Sequence, residues 1–208
     1  MVRARLALVR AAGSASDGGE AQVVEDAELA TRLAAGDRAA LDEIYARYAS
    51  ALFGMLLRLL ARTAEAEDAL QETFVVAFLK VGQLREKEAL RGWLFRIAVR
   101  EAHTRLRRRK RWRFIGGTDD AADDALLSAL VSETVTGEVH AELALLAREL
   151  AKLPSEQRIA WMLRYVEGEA LEDVAAACDC SLATAKRWIA AADQAVRRHV
   201  ELEEANDV

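Results

Sequence analysis

Apolar residues recur three and four positions apart from Asp26 to about Arg111, and again from His140 onward. That period belongs to amphipathic helices, because strands would repeat every second residue. Gly36-Asp37 and Thr63, which carry N-cap chemistry, break the first segment into four predicted helices. Pro154-Ser155, Gly168 and the polar turn from Asp179 to Ser181 break the second into about four. Between them the period lapses: "FIGGTDDAADDALLSALVSETVTGEV", from Phe114 to Val139, opens on Gly, Thr and Asp and has only a weak apolar patch. It reads as an acidic linker. The start of the chain, with "AAGSASDGGEAQ", has no period and reads as a tail. The expected architecture is all-α, with a flexible tail (1–25), a helical domain (26–113), a flexible acidic linker (114–139) and a second small helical domain (140–203).

Composition agrees with that reading and removes several classes. The 208 residues are 52% hydrophobic and 30% charged, enough for one core or two small ones, and one Pro with 11 Gly suits helices. No apolar run is long enough to span a bilayer, and the apolar centre of "MVRARLALVR" is too short for a signal peptide, so a cytoplasmic protein without membrane insertion is expected. Cys178 and Cys180 are too close in sequence for an ordinary disulfide and lack the further ligands of a zinc site. They read as two small, partly buried residues in a reducing compartment. His103, His140 and His199 are scattered, no base stands beside the thiols, and no Gly-rich phosphate loop occurs. No catalytic residue, metal or cofactor is expected.

Charge is distributed unevenly. The chain carries a formal net charge of -5, yet in "RLRRRKRWR", residues 105–113, every residue but Leu106 and Trp112 is Lys or Arg. On a helix, Phe95, Val99, Ala102 and Leu106 form an apolar stripe that must face a core. Arg96, Arg100, His103, Arg107 and Lys110 repeat its spacing one residue on, and beyond Arg105 nearly every side is basic. With Glu101 as the sole acidic neighbour, these cations repel one another unless an external anion neutralises them. Nucleic-acid phosphate fits, since each neutralised phosphate releases counterions. Trp93 and Trp112 offer surfaces on which unpaired bases stack, although a Trp at helical spacing is more often core.

An acidic helix precedes it, "TAEAEDALQETFVVAFLKV". Leu70, Phe74, Ala77, Phe78 and Val81 form its expected buried stripe, while Glu65, Asp68, Gln71 and Glu72 project elsewhere. Acids in a first turn suit the helix dipole. Beside a nucleic-acid-binding helix they also repel DNA, which turns this face toward a protein. In the second domain, "LPSEQRIAWMLRYVEGEALEDVAAACDCSLATAKRWIAAADQAVRRHV" reads as helix, turn, helix, turn, helix, with Ser155 and Ser181 as caps and Gly168 as a stop. On the last helix Leu182, Ala185, Ile189, Ala192 and Val196 face inward, leaving Ala183, Thr184, Arg187, Trp188 and Ala191 outward. A short helix, a tight turn and a helix with polar and basic first turns is the arrangement that enters a DNA major groove, although a plain three-helix packing unit shares the pattern.

Together "AEDALQETFVVAF", "LRGWLFRIAVREAHTRLRRRKR" and "LPSEQRIAWMLRYVEGEALEDVAAACDCSLATAKRWI" resemble, in order and spacing, the sigma-70 family of bacterial RNA polymerase initiation factors, in its extracytoplasmic function (ECF) form. The resemblance covers about residues 26–112 and 140–200 and implies a sigma-2-like domain and a sigma-4-like helix-turn-helix domain. It implies core RNA polymerase (clamp helices and flap) and promoter DNA as partners, and many family members also have an anti-sigma factor. Asp68, Gln71, Glu72 and Phe74 match the segment that grips the clamp helices. Arg96, Arg100, His103, Arg107, Arg108, Arg109, Lys110 and Arg111 match the element that engages the −10 region as the strands separate. Residues 81–90, "VGQLREKEAL", match the loop that captures a flipped base. Ser181, Thr184, Lys186, Arg187 and Trp188 match the −35 reader.

Two departures stand out. Arg100 and Thr104 replace the family's usual Asn and Asp, and Trp188, Ala191 and Asp193 stand where several Arg residues are usual. They keep open a second reading, a polymerase-binding regulator with a degenerate −35 reader that does not initiate by itself. A free-standing helix-turn-helix repressor would leave the acidic helix unexplained, and an enzyme has no site.

Overall fold

The computed structural model describes residues 20–114, 146 and 149–206; the chain before Glu20 and nearly all of the expected linker lie outside the described residues. Four helices form the first unit: α1 (Glu20–Ala34), α2 (Arg38–Leu60), α3 (Thr63–Lys80) and α4 (Leu90–Phe114), with two 3₁₀ turns, Val81–Gln83 and Lys87–Ala89, before α4. The second unit has helical residues 149–152, then α5 (Ser155–Met162) running into a π turn (Leu163–Glu167), α6 (Leu171–Ala177) and α7 (Leu182–Asn206). No strand occurs among the described residues.

The boundaries follow local chemistry, with three corrections. Asp37 caps α2 as expected, its Oδ1 accepting from the Ala39 amide at 2.9 Å, after Gly36 turns the chain at φ 90°. The tail expected through residue 25 ends sooner, because α1 already begins at Glu20. Arg47 holds the second turn of that helix, donating to Asp26 at 2.9 Å and to Glu25 at 2.7 Å, and the Tyr48 hydroxyl donates to Asp26 as well. Thr63 does not cap α3: Ala61 turns left-handed at φ 60°, so the cap position falls on Arg62 and no side chain fills it. Ser155 likewise is the first residue of α5, with the extended Pro154 in the cap position.

Leu56, Leu59, Leu60, Leu90 and Leu94 fill the first core and Ile159, Trp161, Met162 and Leu163 the second, and all belong to one continuous buried cluster. The two units meet at the C-terminal end of α2. The last carbonyls of a helix have no intrahelical donor and sit at the negative end of its dipole. Here Leu60 O accepts from Arg109 Nη2 of α4 at 3.1 Å, and Leu59 O accepts from Arg158 Nη2 of α5 at 3.0 Å. Beside them Arg58 makes a two-pronged pair with Glu167, Nε to Oε1 at 2.6 Å and Nη2 to Oε2 at 2.8 Å.

Candidate nucleic-acid interface

Helix α4 buries Leu90, Leu94, Ala98, Val99, Ala102 and Leu106. Phe95, expected in that stripe, is only partly buried, as is Trp93. The opposite side is cationic. Arg100, Arg107, Arg108 and Arg111 are exposed, Arg96 and His103 are half-buried, and the side chains of Lys110 and Trp112 lie outside the described residues. Glu101 does not dilute this row, because Arg105, one turn on, takes it at 2.8 Å.

Arg109 departs from the expected −10 face. It is 9% exposed, turned inward onto Leu60 O and Glu65, so its charge serves the fold. In an all-basic run every residue looks external, but the bare end of α2 needs a donor and Arg109 is the residue on that side.

On α3, Asp68, Gln71 and Glu72 are exposed as expected. Phe74 is not on that surface: it is buried, its ring centroid 4.8 Å from that of Tyr45. Phe78, expected inside, is 38% exposed, and Val75 and Leu79 lie open beside it. Asp68, Glu72, Val75 and Leu79 are spaced four, three and four, so one helix face is acidic at its start and apolar toward its end. That spacing was available in the sequence; reading the apolar letters as core hid it. Residues 81–90 form a tight corner on Val81, Leu84 and Leu90, all buried, with Lys87 Nζ donating to Val81 O at 3.2 Å. Gln83, Arg85, Glu86 and Glu88 point out from it.

The second unit carries the expected helix-turn-helix. Asp179 makes the turn at φ 54°, the Cys180 amide reaches back to Ala175 O at 3.0 Å, and Ser181 Oγ caps α7 by accepting from the Thr184 amide at 3.2 Å. Ala185, Ile189, Ala192 and Val196 are buried, Leu182 half-buried, and Ala183, Lys186 and Arg187 exposed. Asp193 is tied to Arg197 at 3.1 Å. Trp188 does not stand free. It is half-buried and lines a cleft of about 260 Å³ between the units, with Arg100, His103 and Arg107 on one wall and Glu156 and Asp179 on the other. Across it His103 Nε2 lies 3.3 Å from Glu156 Oε1, and Arg100 Nη2 lies 3.3 Å from Asp179 Oδ2.

Cys178 lies in the same cleft, and burial, with smaller pushes from Cys180 and Glu156, raises its thiol to about 12. Burial pushes Cys180 up as well. Neither thiol has the depressed pKa of a reactive cysteine.

A cation-faced helix followed by a helix-turn-helix defines a two-part, all-α protein of the class that handles nucleic acid. Two family models match, Sigma-70 region 2 over residues 44–112 and Sigma-70, region 4 over residues 143–192. The ECF RNA polymerase sigma factor SigM of Mycobacterium tuberculosis is 36% identical over 153 residues, covering 72% of this chain and 71% of that protein. The RNA polymerase sigma-H factor of Pseudomonas aeruginosa is 28% identical over 186 residues, covering 83% and 92%. The fold is shared with the sigma factor RpoE of Bartonella quintana, solved with the anti-sigma factor NepR, at a TM-score of 0.56, 21% identity and coverage of 77% and 96%. It is shared with CnrH, solved with the cytosolic domain of CnrY, at a TM-score of 0.58, 22% identity and coverage of 85% and 97%. The chain belongs to the sigma-70 family, as an ECF RNA polymerase sigma factor, the class that binds core polymerase and directs transcription initiation at promoter DNA.

Proposed function

We propose that α4 is the element that holds the −10 region, with Arg100, His103, Arg107, Arg108, Lys110 and Arg111 on phosphate and Arg96 at its edge, while Arg109 keeps the helix seated. The observation that carries this is the exposed row Arg100, Arg107, Arg108 and Arg111, whose one acidic neighbour on the helix is already taken by Arg105. Phosphate contacts position the protein without reading sequence. Sequence is read from bases drawn out of the stack at the 81–90 corner, at a cost of a few kcal/mol per step, and from base edges in the major groove. Ser181, Thr184, Lys186, Arg187 and Trp188 of α7 are the proposed −35 contacts.

Core polymerase docks on the outer face of α3, through Asp68, Gln71 and Glu72 and the apolar Val75, Phe78 and Leu79. Phe74 supports that face from beneath, packed on Tyr45. Residues 26–113 and 140–203 act as the two readers, joined by 114–139. They bind weakly apart and strongly once polymerase fixes their separation. The protein works in the cytoplasm, by binding rather than by turnover; no helix among its described residues is long and apolar enough to cross a membrane. An anti-sigma factor is a further proposed partner, consistent with the complex in which RpoE of Bartonella quintana was solved.

Genome-wide transcription in vitro with core polymerase, with and without the chain, tests the reading by mapping RNA 5′ ends. New starts that share elements at two fixed upstream distances are expected. Tight core binding with no new starts favours the second reading, a non-initiating regulator, which the turning of Trp188 into the cleft motivates.

A further inference from the structure

We propose that the −35 reader of this chain has a changed base code: guanine recognised by Arg187 or Lys186, beside thymine methyl groups packed on Ala183, Thr184, Ala191 and Trp188. The proposal rests on the promoter-binding reading above, and it makes the unusual residues of α7 a different reader rather than a lost one. Its starting observation is what the helix can offer to a base edge. In the major groove adenine is read by Asn or Gln, cytosine by Asp or Glu, guanine by Arg or Lys, and the thymine methyl by apolar contact. From Ser181 to Ala191, about three turns, the chain has no Asn, Gln, Asp or Glu. Asp193, the first acid beyond them, is tied to Arg197 at 3.1 Å. Direct readers of adenine and cytosine are therefore missing from the turns that enter a groove.

The two hydroxyls of this stretch belong to the cap. Ser181 Oγ accepts from the Thr184 amide at 3.2 Å and lies 2.9 Å from Thr184 Oγ1. A hydroxyl both donates and accepts, so it discriminates little between bases in any case. With Oγ1 directed back to Ser181, the methyl is the group that Thr184 has left for a partner. Lys186 and Arg187 are exposed. Ala183 and Ala191 stand four residues to either side of Arg187, so the three share one line along the outer face. Short side chains around a long cation let it reach a guanine while the neighbouring bases come close to the helix. The Trp188 ring, which lines the cleft between the units, extends the apolar side beside Thr184, four residues earlier.

Linear templates randomised upstream of the start, bound by core polymerase carrying the full chain and then sequenced, test this code. The retained upstream element is expected to hold guanine next to consecutive A·T pairs. It is then resynthesised with deoxyuridine for thymidine in that element alone, which removes the methyl and keeps every hydrogen bond. A second template carries 7-deazaguanine for guanine, which removes the N7 acceptor. Affinity, read by fluorescence anisotropy, should fall about fourfold for each methyl lost and about tenfold for the altered guanine. These readings need no altered protein, so folding does not enter them. Two variants assign the contacts. Arg187→Ala or Lys186→Ala should abolish the 7-deazaguanine penalty, and Thr184→Ser, which keeps the hydroxyl and the cap, should abolish the uracil penalty at one position. An upstream element without thymine, equal binding of thymine and uracil templates, or a 7-deazaguanine penalty that survives in both basic-residue variants overturns the proposal. Specific starts with no shared upstream element also overturn it, while initiation stands. If the holoenzyme retains no template specifically, the promoter reading fails and the proposal with it.

Discussion

The arginines of 105–111 look alike in sequence and do different work in the fold. Arg107, Arg108 and Arg111 face outward, so replacing all three with Ala is expected to abolish promoter melting, read by permanganate footprinting, while core binding by titration is unchanged. Arg109→Ala acts on the fold instead, since it removes the donor to Leu60 O and the closer of the two arginines on Glu65, which keeps only Arg62 at 3.3 Å. A loss of about 2–3 kcal/mol is expected, read from urea unfolding midpoints. Periodicity could not separate these residues, because a basic run has no polar-apolar contrast to read, and the deciding partner lies at the end of another helix. The thiols give a second residue-level expectation. With Cys178 pushed up to about 12 and Cys180 raised too, both stay protonated at neutral pH and should alkylate slowly, the less buried Cys180 first, as mass spectrometry of iodoacetamide-treated protein would show. The burial that raises Cys178 adds stability in full below its ordinary value of 9.0, and this is lost as pH rises from there toward about 12.

Helix α3 shows how an amphipathic reading succeeds and fails at once. Its buried side at Leu70, Phe74 and Ala77 followed from spacing, but Phe78 went to the wrong side because apolar residues cover more than half the turn. The second apolar patch, on the outer end of α3, is part of the face proposed above to meet core polymerase. Asp68→Arg with Glu72→Arg should weaken core binding, and Leu79→Glu should do so without altering helicity by circular dichroism. For α7, Ser181→Ala removes the cap on the Thr184 amide and should cost about 1 kcal/mol, read from thermal unfolding. That cap was legible because Ser181 stands just before the apolar period starts. The early start of α1 was not, because Glu25 and Asp26 are acids whose place is fixed by Arg47, a full helix away.

For the molecule as a whole, two helical units and the order of their elements were plain in the hydrophobic period, and how they meet was not. The cross-unit pairs join residues far apart in the chain, and no local pattern marks Glu156 or Glu167 as belonging to α4 or α2. Glu156 gives this contact a pH signature. Burial pushes its carboxyl up, but its own backbone amide, His103 and Ser155 outweigh that and hold it below the ordinary 4.5. Its contribution is therefore present above the ordinary value and lost as pH falls through the lower one. The melting temperatures of the parent and Glu156→Gln should differ at neutral pH and converge in acid. The paired arginines at the end of α2 have a separate consequence. Salt weakens exposed pairs such as Arg100–Asp179, but it hardly reaches Arg58–Glu167 or the Arg158 bond to Leu59 O. A salt titration of the free protein should therefore produce a partial swing and then a plateau, with the rim loosened and the latch still fastened.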